Sequence, residues 1–229
     1  MKLSIIIPAY NEGATIREVL ARVESVAYPI EHEVLVVDDA STDGTAGVLA
    51  APGVAGPALR VLVNPENVGK GSSVRRGLEH AAGDIVIVQD ADLELDPGDI
   101  PALVRPIVEG RADAVYGSRF LARSWPEKMA FPNWAANRIL TTLANALYGA
   151  RLSDVSCGYK VVRTDLLKSL GLDCRRFEFC FEVTAKLRRR GVRILEAPIS
   201  FAARTRKEGK KIGTADFFKA VWTLVKNKF

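Results

Sequence analysis

Three carboxylates trail an apolar run in VIVQDADLEL, residues 86–95: Asp90, Asp92 and Glu94 occupy every second position. A magnesium or manganese ion is held through one or two carboxylates and takes its other oxygens from water and substrate phosphates. Asp90 and Asp92 flank Ala91, which is small enough to let the backbone turn sharply. Acids so placed suit a divalent cation, with Asp92, Glu94 and Asp90 as its ligands. They also suit a solvated acidic turn.

Other segments offer matching chemistry. VVDDASTDGT sets Asp38 and Asp39 behind a second apolar run, where a carboxylate can accept from the imide of uracil or the amidine of guanine. PAYNE adds Tyr10 and Glu12, an aromatic face and an acceptor suited to a base and a ribose. NVGKGSS puts Lys70 between glycines at the start of a helical pattern, where anions are favoured. Plainer readings stand beside these. Ser41, Thr42, Asp43 or Thr45 can cap a short helix, and Lys70 can be a surface lysine on a turn. RTRKEGKKIG carries Arg204, Arg206 and Lys211, and reads as a loop closing on a diphosphate or as a solvated basic stretch.

A reaction that leaves new negative charge on a phosphate group is helped by a cation and nearby Arg or Lys. An acceptor phosphate is already ionised near neutrality and needs no base. A hydroxyl acceptor needs a carboxylate to take its proton. Asp154 in SDVSCGYK and Glu182 in FEFCFE are the candidates, although Glu182 can instead sit in solvent or pair with Lys186 four residues on.

The elements that must position these residues alternate. LSIII, EVLVV, LRVLV and DIVIV are continuous apolar runs. Between them lie helical patterns, such as Ile16, Val19, Leu20 and Val23. This is the signature of a parallel sheet covered on both faces, which binds ligands beyond the carboxyl ends of its strands. In the second half, ADAVYGSRF reads as a strand and residues 133–149 as a helix. LSDVSCGYKVVRTDLLKSL reads as a loop and short helix, FEFCFEVTAKLRRRG as a helix and VRILEAPISF as a final strand. A terminal helix mixes Phe217, Phe218 and Trp222 with Lys219, Lys226 and Lys228, as interfacial helices do.

At 229 residues and a net charge of +5 the chain is expected to form one domain, residues 1–229. Its pI near 9.2 suits anionic partners without singling out nucleic acid, and none is expected. Three cysteines without a CxxC pair suit reduced thiols in the cytoplasm, with Cys157 packed as a small apolar residue. Two histidines, neither in a motif, argue against a Ser-His-Asp mechanism. No segment reads as a spanning helix, so membrane contact would be peripheral, on the cytoplasmic face.

Taken in order, SIIIPAYNE, VVDDASTDGT, NVGKG, QDADLELDP, YGSRF and DVSCGYK resemble the family-2 glycosyltransferases, specifically the dolichyl-phosphate mannosyltransferase-like branch. The resemblance implies an α/β GT-A fold, Rossmann-like, with a mostly parallel sheet and an acceptor-side helical region. Residues 1–120 would form the nucleotide-sugar half and 121–229 the acceptor half. It further implies that Pro8, Ala9, Tyr10, Glu12 and Asp39 line the nucleotide pocket, with Asp90 and Ala91 near the ribose. Asp92 would bind Mg2+ or Mn2+, Glu94 would stand where relatives often have glutamine, and Arg119 would face the acceptor phosphate or the transferred group. The implied reaction is inverting transfer of a hexose from a GDP- or UDP-sugar to a polyprenyl phosphate, or alternatively to a glycan hydroxyl.

Overall fold

Four runs of Val, Ile and Leu lie side by side as parallel strands: β1 (Lys2–Ala9), β2 (Glu31–Asp38), β3 (Leu59–Val63) and β4 (Ile85–Val88). A computed structural model describes residues 1–54, 56, 58–122, 125–126, 129–203 and 213–229. Arg204, Arg206 and Lys211 lie outside the described residues. Helices α1 (Ile16–Ser25), α2 (Thr45–Ala50) and α3 (Lys70–His80) return the chain between these strands. Then follow α4 (Ile100–Val108), β5 (Ala114–Ser118), α5 (Phe131–Tyr148), β6 (Lys160–Arg163) and α6 (Thr164–Ser169). The chain ends with α7 (Phe179–Arg189), β7 (Ile194–Pro198) and α8 (Thr214–Lys226).

Among the described residues the strands form one seven-stranded sheet, in the order β3-β2-β1-β4-β6-β5-β7. Side chains alternate across it. Ile6, Leu35, Val86 and Val88 join one core with residues of α3, α5, α7 and α8. Ile5, Ile7, Val36 and Ile87 join the other with residues of α1 and α4. The strands β1, β2 and β4 are therefore covered on both faces, which is why they read as apolar runs, whereas β3 at the sheet edge leaves Arg60 and Val63 exposed.

The strand β6 departs from the sequence reading, which placed KVVR in a loop. It lies between β4 and β5 and is antiparallel to both, with Val162 opposite Val86 and Ala114. Its first residue, Lys160, is 1% exposed. The Lys160 ammonium donates to Val155 O at 3.0 Å and sits 3.8 Å from the centroid of the Tyr116 ring. Carbonyl and ring face together replace its water. The capping of α2 also differs in detail. Asp43 does accept from Thr45 N at 3.0 Å, whereas Ser41 and Thr42 bond to Asp38 and Asn11.

The entry to α3 is closed by another part of the chain. Ser72 N donates to Arg175 O at 3.2 Å, and a Cβ on Gly71 would come within 2.9 Å of Arg176 O. Gly69 has φ 90° and ψ 158°, a region essentially reserved for glycine, and a Cβ there would collide with Arg175 O. Gly53 has φ 76° with open space around it. Gly53→Ala should therefore cost about 1 kcal/mol, from backbone strain alone. Gly69→Ala should cost at least about 3 kcal/mol, lowering the melting temperature by roughly 6 °C or more. Thermal unfolding of the two variants side by side checks this.

Candidate active site

The carboxyl ends of β1, β2 and β4 carry the described non-glycine residues with positive φ: Asn11 at 52°, Ala40 at 58° and Leu93 at 60°. Such corners cost energy, and their clustering at one edge of the sheet marks a built site. Hydrogen bonds lace the loops together. Asp39 N donates to Ala9 O at 2.8 Å, Thr42 N to Asn11 Oδ1 at 2.8 Å, and Thr15 Oγ1 to Ala91 O at 2.7 Å. Thr15 Oγ1 also lies 3.0 Å from Glu12 Oε2. These bonds join Ala9 to Asp39 and, through Thr15, Glu12 to Ala91, with Pro8 and Tyr10 flanking Ala9 in the chain. Tyr10 is exposed, while Ala9 and Ala91 are buried.

Asp39 is 2% exposed. It accepts from Asn64 Nδ2 at 2.6 Å, Val68 N at 3.1 Å and Gly69 N at 2.8 Å. These fill three of the about four acceptor positions of a carboxylate. Its first role is therefore to fix the NVGKG loop against the end of β2, leaving little capacity toward a base.

Lys70 reaches from that loop to an ion pair with Asp90. Burial pulls its pKa down, but Asp90, then Cys180 and Asp92, outweigh this and hold the ammonium charged above its ordinary range. Gly158, of the GYK motif, makes room for Asp90: a Cβ there would lie 2.7 Å from Asp90 Oδ2. Beyond the left-handed corner at Leu93, Asp92 Oδ1 accepts from Glu94 N at 3.1 Å. Asp90, Asp92 and Glu94 consequently do not form the three-carboxylate cage that their spacing suggested. Among the described residues no group of three or more His, Cys, Asp and Glu side chains is placed to hold a metal. The physical reason is that Asp90 is turned to Lys70.

A second cluster is built at the end of β5. Arg119 Nε and Nη2 grip Asp154 Oδ2 and Oδ1 at 2.7 and 2.8 Å, and Arg119 N adds a third bond at 3.2 Å. Asp154 is fully buried, which raises its pKa, yet Arg119 prevails and the carboxyl lies below its usual range. A carboxylate so held is a poor proton acceptor, against the sequence expectation. Glu182 is corrected too. It is 1% exposed and accepts from Asp173 N at 2.9 Å, Cys174 N at 2.7 Å and Lys186 Nζ at 2.6 Å. The i,i+4 pair with Lys186 forms, but it locks a buried turn and does not face solvent. Cys157 packs as expected, with burial pushing its thiol up to about 12.

Arg119 borders a cleft of about 410 Å³ with Asp99, Ala122, Pro126, Pro198, Ile199, Ser200 and Phe201. Its guanidinium carbon lies 5.1 Å from the centroid of the Phe201 ring. Asp99, which lines this cleft, was not singled out by the sequence reading. It accepts from Ser200 N at 2.7 Å, and burial raises its carboxyl. Ala202 N donates to Glu94 O at 2.9 Å, and Leu95 bridges Phe201, so the cleft shares a wall with the acidic loop. Next to Pro126, Trp125 stacks on Trp134 and Phe131 with centroids 5.1 and 5.8 Å away. Trp125 and Phe131 are exposed. Among the described residues no helix is long and apolar enough to cross a membrane.

The buried pair makes a prediction. Because the Asp154 pKa is depressed on folding, its stabilisation is present above the ordinary carboxylate range and is lost as pH falls through the folded value. Asp154→Asn leaves Arg119 unpaired in a nearly buried position and should cost roughly 3–5 kcal/mol at neutral pH. Denaturant titrations should show that cost shrinking as pH is lowered into the acid range.

Comparison with known proteins agrees with this geometry. Residues 4–171 match the model of "Glycosyl transferase family 2". An undecaprenyl-phosphate mannosyltransferase of Micrococcus luteus is 34% identical over 93% of this chain and 88% of its own. A dolichol-phosphate mannosyltransferase of Pyrococcus furiosus is 28% identical over 99% of this chain, which spans 64% of that protein. The crystal structure of glucosyl-3-phosphoglycerate synthase from Mycobacterium tuberculosis, in complex with Mn2+, UDP and phosphoglyceric acid, superposes with a TM-score of 0.77. It is 22% identical, and the alignment covers 99% of this chain and 78% of that one. Matched over most of its length by the family model, and by a relative at 34% identity, the chain belongs to glycosyltransferase family 2.

Proposed function

We propose that the protein transfers a hexose, with inversion, from a GDP-mannose- or UDP-glucose-type donor to a polyprenyl phosphate. The observation that carries this reading is the cleft in which Arg119 meets Pro126, Pro198, Ile199 and Phe201. A guanidinium beside apolar walls suits a phosphate joined to a hydrocarbon chain. The names of the Micrococcus and Pyrococcus relatives describe acceptors of this kind. The occupied state of Asp154 and Glu182 adds support, since a phosphate oxygen needs no base. A glycan hydroxyl would need one, and Asp99 is the carboxylate in this cleft.

In the proposed step a phosphate oxygen of the acceptor forms a bond to the anomeric carbon. The bond from that carbon to the donor diphosphate breaks on the opposite face, and its electron pair leaves with the nucleoside diphosphate. The strand-end loops holding Tyr10, Glu12 and Asp39 would seat the nucleoside. Lys70 would stabilise the leaving charge, and Arg204, Arg206 and Lys211, outside the described residues, are the further cations proposed for it. Asp92 and Glu94 fit a divalent ion that completes its shell with diphosphate oxygens and water. When bound, Mg2+ or Mn2+ would supply neutralisation of the departing diphosphate.

The test is to supply the protein with manganese, each candidate sugar nucleotide and a short polyprenyl phosphate. Inverted sugar-phosphate lipid and free nucleoside diphosphate are expected. Transfer only to a glycan hydroxyl would select the alternative, and no transfer would end the proposal. Asp92→Ala should lower turnover by about a hundredfold or more with the fold intact by circular dichroism. Activity equal to the unmodified protein in that variant would remove the metal assignment.

Peripheral membrane contact is part of the proposal. On α8, Phe218 is 70% and Trp222 65% exposed, beside Lys219 and Lys226. Aromatic and basic residues on one helix suit an anionic lipid surface. Phe218→Ser with Trp222→Ser should release the protein from phosphatidylglycerol vesicles in a flotation assay, without lowering the melting temperature.

A further inference from the structure

We propose that Glu196, on β7, is a positioning residue that sets Arg119 for the acceptor. The proposal rests on the reading of Arg119 as the contact to the acceptor phosphate. Glu196 Oε2 accepts from Ser153 N at 2.8 Å and from Ser153 Oγ at 3.0 Å, and Oε1 accepts from Asp154 N at 3.1 Å. The carboxylate therefore grips two consecutive amides. The second belongs to the residue whose own carboxylate holds Arg119 in a two-pronged pair.

The surrounding contacts show why this grip matters. Val155 N donates to Thr141 Oγ1 at 3.2 Å, and Val155 O accepts from Lys160 Nζ at 3.0 Å. Those two bonds fix the far end of the turn. Ser153 Oγ lies 2.6 Å from Ser118 Oγ, which immediately precedes Arg119. The Asp154 amide thus takes its place from the Glu196 carboxylate. The chain of contacts runs from carboxylate to amide, and from carboxylate to guanidinium. β7 and β5 pair in parallel with Tyr116 opposite Glu196, and the ladder that carries Glu196 ends at Ser118, the residue before Arg119.

Glu196→Gln keeps the shape but turns one acceptor into a donor facing an N–H donor. The acceptor KM should rise about tenfold, the effect of one lost charge-assisted bond, while the donor KM stays within about twofold. Arg119→Gln should also raise the acceptor KM. In the double variant Glu196→Gln should add no further loss, because a residue acting through Arg119 has nothing left to act on. Multiplying losses in the double variant would overturn the proposal, as would an equal rise in both KM values. An acceptor KM raised by Arg119→Gln but untouched by Glu196→Gln would overturn it while sparing the reading of Arg119. An acceptor KM indifferent to Arg119→Gln would remove both. Should Glu196→Gln fail to fold, Glu196→Asp, which retains the charge but withdraws it by one methylene, is expected to give the same split.

Discussion

Carboxylates crowded at one edge of a sheet repel each other, and in a medium of low polarity that repulsion is severe. The organisation of this protein follows from how each is compensated. Asp39 is held by an asparagine and two amides, Asp90 by Lys70, and Asp154 by Arg119. Glu182 is held by two amides and Lys186, and Glu196 by two amides and a hydroxyl. Every pairing joins segments distant in sequence or pins a turn that bears on the site. Neutralising the charges and assembling the site are therefore one process.

The two edges of the site meet through a short backbone contact. The acidic loop after β4 and the segment after β7 share the bond from Ala202 N to Glu94 O and the bridge from Leu95 to Phe201. A donor diphosphate at the first and an acceptor phosphate near Arg119 would then lie on either side of one wall. That proximity is what transfer between two phosphate-bearing substrates requires.

Much of this was readable beforehand, for a definite reason. Strands buried on both faces leave unbroken apolar runs, so β1 to β4 and their direction could be inferred from Ile5 to Ile7, Val34 to Val37 and Ile85 to Val88. The motif loops at their ends were legible because acids and glycines cluster there. What escaped was set by partners far along the chain. Four residues beginning with a lysine do not announce a buried antiparallel strand, because Lys160 is stabilised by the Val155 carbonyl and the Tyr116 ring. Asp154 looked like a base because Arg119, its partner, stands 35 residues earlier. Asp99 gave no signal because its neighbour Ser200 comes 101 residues later. The acid triplet looked like a cage because spacing alone does not reveal that Asp90 turns toward Lys70.

The insertion of β6 between β4 and β5 has a mechanical consequence. Its ladders tie β1 to β4 on one side and β5 and β7 on the other into a single hydrogen-bonded plane. Swinging one side of that plane away from the other would rupture those ladders, so movements that spare the sheet fall to the connections between its strands.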